Sequence, residues 1–396
     1  MKRRNIYISI AVLLALVAGA AWWVFVRGDD APDIEVPPEP ERVEDTELER
    51  LRIIATGDMI AHDSVIANAA TNGGYDFYSL MENMQPFFAA ADVRFCNQAT
   101  PAGGEAFGIS GFPIFNAPLQ WHDGMEQLGC NVISLGTNHT FDKGQPLVDA
   151  MVADWQDREV LATAGAHRNQ AEREQISYFD VGDVTFAFLS YSTYSNEPVP
   201  NNYSMVPYDE AIAASEVAEA RDNADIVLVS MRWGVEYATS ESTEQREIAN
   251  SLAEAGADFV FGHGPHTLQP VERITSSDER ETIVWFSLGN FLNTQIPADT
   301  LVSVIAVMDL DPDDLSIVSI GALPVYSHYE WSAEDAATQN LLARQNLQML
   351  ALDDVDDSYF ERNQLDTTVQ AEREHLTNVL NQRTDVPILN TENFFE

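Results

Sequence analysis

From Leu51 onward the chain alternates short runs of β-branched and aromatic residues with stretches whose apolar positions recur every three or four residues. The runs LRIIATGD (51–58), DVRFCN (92–97), NVISLG (131–136), TFAFLSY (185–191), DIVLVSM (225–231), DFVFGH (258–263) and TIVWFSLGN (282–290) read as buried strands. Between them, GQPLVDAMVADWQDRE (144–159) and STEQREIANSLAEAGA (242–257) carry helical periodicity. The alternation predicts an α/β architecture, mixed β-sheets with helices on their faces. LVSVIAVMDL (301–310) and LSIVSIGALPVY (315–326) have no helix between them and predict added antiparallel strands. The acidic C-terminal region, 331–396, reads as helical over 335–352 and again over 368–384, packing on the domain or holding a partner.

The first residues follow a different pattern. After the cytoplasmic basic start at 1–5, an almost unbroken apolar run covers 6–26, the length of a bilayer-spanning helix. Ala18-Gly19-Ala20 resembles a signal-cleavage site, but the apolar run continues through Trp22, Trp23 and Phe25, which predicts a retained anchor. Basic residues before the run and acidic ones after it predict a single-pass cell-membrane protein with a cytoplasmic N-terminus and an extracellular main domain. Residues 27–50, rich in Pro, Asp and Glu, read as a stalk, and 51–330 as the folded domain.

Composition narrows the partners. With 63 acidic against 21 basic residues, the formal charge is −42, which repels nucleic acid and suits a high-salt environment. There are only two cysteines, so a disulfide framework and a thiolate-rich zinc site are both excluded. Cys96 ends one predicted parallel strand and Cys130 begins another, and a bridge between them is not expected.

Polar residues cluster after the C-terminal ends of the predicted strands: Asp58, Asn97, Asn138, His139, His263 and His266. In open α/β sheets that edge is where ligands bind. Trp233, Tyr237 and Trp285 suit either an aromatic wall for a polymer or an ordinary core, and the core is the commoner use. No phosphate-cradling GxxxxGK[ST] loop and no GxGxxG turn is present.

Several of these residues lie in segments that resemble the CapA family of bacterial capsule-synthesis proteins, also described as poly-γ-glutamate capsule biosynthesis proteins. The segments are GDMIAHDSV (57–65), FCNQAT (95–100), GISGFPIFNAP (108–118), SLGTNHTFDKG (134–144), SMRWGVEY (230–237), AGADFVFGHGPHTLQPVE (255–272) and VWFSLGNFL (284–292). The resemblance implies a metallo-dependent phosphatase-like sandwich holding a pair of divalent metals, manganese, zinc or iron. By the same resemblance Asp58, Asn138 and His266 are metal ligands, His139 is the general acid, and Glu236 and Asp142 are acids beside the site. The chain departs from the family's pattern at three ligand positions. Asn-x-Glu is Asn97-Gln98-Ala99, His-Trp-Gly is Arg232-Trp233-Gly234, and His-Pro-His is Gly264-Pro265-His266. Thr137 also stands where the family more often has Asn. The losses predict weak metal binding or none, unless His263, His62, Glu105 or Glu236 compensates.

Three functions compete. One is an accessory role in making, exporting or anchoring a surface polymer, polyglutamate or polysaccharide, beside other capsule-synthesis membrane proteins. Another is a metal-dependent phosphoesterase acting on an envelope phosphate ester. The last is an anion-binding module in which the planar fork of Arg232 replaces the metal charge. Incomplete site chemistry places the accessory role first.

Overall fold

The computed structural model describes residues 50–396. The apolar run at 6–26 and nearly all of the stalk lie outside the described residues. Among the described residues no helix is long and apolar enough to cross a membrane.

In chain order the strands are β1 (Leu51–Met59), the short hairpin β2 (Ala70–Thr71) and β3 (Gly74–Tyr75), β4 (Val93–Gln98), β5 (Val132–Ser134), β6 (Ala162–Ala164), β7 (Ser177–Val181) and β8 (Val184–Ser192). They continue with β9 (Ile226–Arg232), β10 (Phe259–His263), β11 (Val271–Thr275), β12 (Glu281–Trp285), β13 (Val302–Leu310), β14 (Ile317–Glu330) and β15 (Gln345–Ala351). A seven-stranded sheet runs β15-β14-β13-β1-β4-β5-β6, and a six-stranded sheet runs β11-β12-β10-β9-β8-β7. Within the first, β1, β4, β5 and β6 are parallel; β13 and β14 add on antiparallel, as the missing intervening helix predicts, and β15 adds on antiparallel beside β14. The second has a parallel centre, β8, β9, β10 and β12, edged by antiparallel β7 and β11.

The two sheets pack face to face, with Phe95 of β4 meeting Phe188 of β8 and Phe261 of β10 at ring-centroid distances of 5.9 and 4.8 Å. Each outer face is covered by helices. Val148, Met151, Val152 and Trp155 of the helix Gln145–Gln156 are buried in the larger core. Val217 and Ala220 of Glu210–Asn223 and Ile248 and Leu252 of Thr243–Ala255 pack with Val227, Val229 and Val260. Strand alternation sorts the residues between those cores: in β9, Ile226 and Leu228 join the inter-sheet core while Val227, Val229 and Met231 face the helices. By the same parity Ser230 and Arg232 are directed between the sheets.

Two expectations are corrected. Cys96 and Cys130 form a disulfide, with Cα atoms 5.8 Å apart. In register Cys96 lies opposite Ile133, three residues past Cys130, so an extended approach would separate the pair by about 10 Å. Instead Cys130 leaves the helix Gln120–Leu128 through the left-handed Gly129, and its N–H bonds back to the Met125 carbonyl, which brings it over Cys96. The second correction concerns 335–352, where a single turn of helix, Ala333–Ala337, gives way to β15. Leu347, Met349 and Ala351 are buried at alternate positions, a strand period inside a stretch whose composition favours helix. The later helix forms at Val369–Leu380 and packs on the domain through Leu376, Val379 and Leu380.

Candidate functional site

A bulge builds the centre of the site. Ala55 of β1 pairs with Phe95 and Asp58 with Asn97, so two residues of β1 oppose one of β4 and the strand is re-aimed at its end. Gly57 is required there, since a Cβ would stand 2.3 Å from the Gly289 carbonyl oxygen. The close approach lets Asp58 N–H donate to Gly289 O and Phe291 N–H to Asp58 O, which ties the 286–292 loop over the strand.

The Asp58 carboxylate is buried. Its Oδ1 accepts from Asn97 Nδ2 at 2.6 Å, and His263 Nδ1 stands 3.6 Å from the same oxygen. His266 Nδ1 lies 2.8 Å from Asp58 Oδ2 and hydrogen-bonds Asn290 Oδ1 at 2.9 Å. The two acceptors share that one ring nitrogen, and the contact with the ionised carboxylate is the shorter of the two. Both ring nitrogens of His263 are unpartnered. Burial alone would raise the Asp58 pKa, but the His266 contact, then His263 and the nearby Arg232 cation, outweigh it and hold the group at about 2. Burial holds His263 down at about 4 and His62 at about 3.

Arg232 is the cation of the site and is itself buried. Its Nε donates to Asn138 Oδ1 at 2.7 Å, Nη1 to the Trp233 carbonyl at 3.1 Å, and Nη2 to the Tyr194 hydroxyl. The guanidinium also stacks 4.7 Å from the Tyr194 ring centroid and lies 4.0 Å from Glu236. Gly264 makes room for it: a Cβ there would stand 1.7 Å from Arg232 Nη1 and 2.3 Å from Cζ. The two departures at 232 and 264 are therefore one change, since the guanidinium fills the space a side chain at 264 would enter.

His139 Nδ1 is 2.8 Å from Asp142 Oδ2, which also accepts from Phe115 N–H at 2.7 Å. Asn196 Nδ2 stands 3.3 Å from His139 Nε2. Thr137 donates its hydroxyl to the Ala99 carbonyl, closing the floor where the family's glutamate is absent.

Asp58, Asn138, His139, Arg232, Glu236 and His266 line one cleft, joined by His62, Gln295, Phe112, Phe115 and Tyr237. Asn97, Asp142 and His263 sit directly behind that lining, and Glu105 lies outside it. Trp233 and Trp285 belong to the core, whereas Tyr237 is exposed. Sequence reasoning gave no role to Asn290, Tyr194 or Phe112. Asn290 could have been found, because it stands in the SLGNFL segment that carries the resemblance.

These side chains do not fit a pair of divalent ions. Asn138 spends its carbonyl oxygen on Arg232, a permanent cation stands among the remaining donors, and position 99 offers no carboxylate.

The model of the family described as bacterial capsule synthesis protein PGA_cap matches residues 52–295. The PGA biosynthesis protein CapA of Bacillus subtilis is 29% identical over 174 residues, 43% of this chain and 44% of that protein. The chain thus spans less than half of that relative. The capsule biosynthesis protein CapA of Bacillus anthracis is 25% identical over 361 residues, 87% of this chain and 82% of that protein. A solved phosphatase structure from Mycoplasma pneumoniae is similar over 74% of this chain and 99% of its own, at 9% identity and a TM-score of 0.44, too loose to carry an argument. The match over 52–295 takes in every strand from β1 to β12, and on it the chain belongs to the bacterial capsule synthesis PGA_cap family.

Proposed function

We propose that this chain is a membrane-tethered, extracytoplasmic accessory protein of capsule or other surface-polymer synthesis, export or anchoring, which holds polymer without cleaving it. One observation carries the reading: the Arg232 guanidinium occupies the place of a side chain at Gly264 and takes the carbonyl oxygen of Asn138. Family membership supports the capsule role. The apolar run at 6–26 supports the anchor, and the Cys96–Cys130 disulfide suits an oxidising compartment outside the cytoplasm. The partners of this reading are the surface polymer, the membrane and other capsule-synthesis membrane proteins, with nucleic acid excluded by charge.

Elemental analysis after equilibration with Mn²⁺, Zn²⁺ or Fe²⁺ and removal of loosely held ions tests it. A metal content near zero fits the proposal, and near two ions per chain sinks it.

A phosphoesterase is the second reading. It is favoured by both ring nitrogens of His263, which hydrogen-bond nothing beside the Asp58 carboxylate, and by the His139–Asp142 pair. Turnover of a phosphodiester probe that disappears in His139→Ala would promote it over the first. The anion-binding reading is weaker, because the Arg232 fork is engaged by Asn138, the Trp233 carbonyl and Tyr194.

A further inference from the structure

The rim of the cleft is apolar in a way the core does not require. Phe112 is 73% exposed and Tyr237 52%, and they reach the same cleft from opposite sheets, one on the loop after β4 and one on the loop after β9. Large apolar groups left in water at the mouth of a polar pocket mark a ligand surface. Neither loop is slack. Gly111 N–H donates to Asp63 Oδ1 and Phe115 N–H to Asp142 Oδ2, which fixes the Phe112 loop. Tyr237 N–H donates to the Pro265 carbonyl at 2.7 Å, which clamps its loop to the His266 segment.

Tyr237 also has φ 63°, a left-handed conformation in which glycine or asparagine is the ordinary occupant. Its side chain is thus retained at a strained and exposed position where a smaller residue would fold more easily. Between the rings the cleft offers acceptors: the half-exposed Glu236 carboxylate, Gln295 and, deeper, the buried Asp58 carboxylate, whose Oδ2 faces His266. Carboxylates select hydroxyl donors, the Arg232 cation in the same lining is already engaged by Asn138, the Trp233 carbonyl and Tyr194, and the charge of −42 repels polyanions at longer range.

We propose that the cleft binds a neutral glycan, with the C–H face of a pyranose ring packed on Tyr237 and Phe112 and its hydroxyls donating to Asp58 and Glu236. This rests on the reading of the site as a non-cleaving polymer seat and names the polymer's chemistry.

The test is saturation-transfer NMR and calorimetry on the full-length chain, with neutral tetrasaccharides of glucose, galactose and N-acetylglucosamine as probes and oligo-γ-glutamate as the anionic comparison. At least one neutral probe is expected to bind, with saturation strongest on its ring C–H protons. Tyr237→Ala and Phe112→Ala should each weaken it about tenfold, Tyr237→Phe should retain it, and Val318→Ala, at an exposed apolar site away from the cleft, should leave it unchanged. Tyr237→Gly separates binding from folding: relief of the left-handed strain raises the unfolding midpoint while affinity falls. Binding of no neutral probe, or binding indifferent to both aromatic truncations, overturns the proposal. Capture of oligo-γ-glutamate alone overturns the glycan while leaving the polymer-seat reading intact. Two bound metals with phosphodiester turnover would remove the polymer-seat reading, whatever the sugars do.

Discussion

At the scale of single residues, the exchange at 232 and 264 governs the site's chemistry. Gly264→Ala forces a Cβ onto the Arg232 guanidinium at φ 109°, and we expect a loss of about 2 kcal/mol or more in denaturant unfolding. In an Arg232→Ala background the same change should cost less, by about 1 kcal/mol, because the collision is gone and only the backbone strain remains. Equal costs in both backgrounds would mean that the two positions are independent. Metal affinity should follow the same coupling: Ala99→Glu, Arg232→His and Gly264→His together raise it steeply, whereas Gly264→His alone meets the arginine. The departure of each position was legible in the sequence, since each breaks a short motif. Their coupling was not, because Arg232 and Gly264 lie far apart along the chain and meet only when β9 and β10 pair in register, with Arg232 opposite His263.

Another single residue sets an acid response. His328, on β14, forms no ion pair, and after burial the Arg362 cation lowers its pKa further while Glu330 offsets it only in part. Its Nε2 is unpartnered, and burial holds its pKa at about 4 against 6.5 for a free imidazole. The unfolded chain therefore takes up a proton below pH 6.5 that the native chain refuses until about pH 4. Stability from this group is complete above 6.5 and falls through that window by about 1.4 kcal/mol per pH unit. His328→Phe keeps the shape and removes the titration. Urea unfolding measured across this range should show about one proton fewer taken up on unfolding in the variant; an unchanged slope would place the proton elsewhere.

At the scale of elements, strand and helix identity followed hydrophobic period wherever the period was unambiguous. All seven predicted strands between 51 and 290 form, because each is a continuous apolar run buried on both faces. The stretch at 335–352 misled, since Leu, Ala, Arg and Gln favour helix locally while pairing with β14 rewards alternation. The disulfide was missed for a related reason. Strand ends were read as straight continuations, whereas Gly129 turns the chain over the sheet before β5 begins. Closing a loop with 34 residues of sequence separation should stabilise the fold by about 3–4 kcal/mol in the chain-entropy account. Cys96→Ser with Cys130→Ser should show that loss in guanidinium unfolding, and reduction of the parent protein should reproduce it. A double variant as stable as the parent would mean that the strand pairing of Asn97 and Asp58 is held without the crosslink.

At the scale of the whole molecule, charge is the dominant fact. A chain at −42 pushes against its own compact state, and there are only 21 basic residues to offset 63 acidic ones. Several of those cations are committed to local pairs, Arg52 to Asp309 and Arg158 to Asp123, Glu126 and Asp154, so repulsion over the rest of the surface is left to the solvent to screen. The Debye length falls from about 10 Å at 0.1 M salt to about 3 Å at 1 M, below the spacing of most surface charges. The unfolding midpoint should therefore rise by several degrees over that range, against the direction expected for a fold held together by surface ion pairs. Screening should act alike for sodium and potassium chlorides, which separates it from specific ion binding. A midpoint that stays level or falls with salt would mean that the acidic surface is matched by local pairing and that the charge answers to a partner rather than to the surrounding medium.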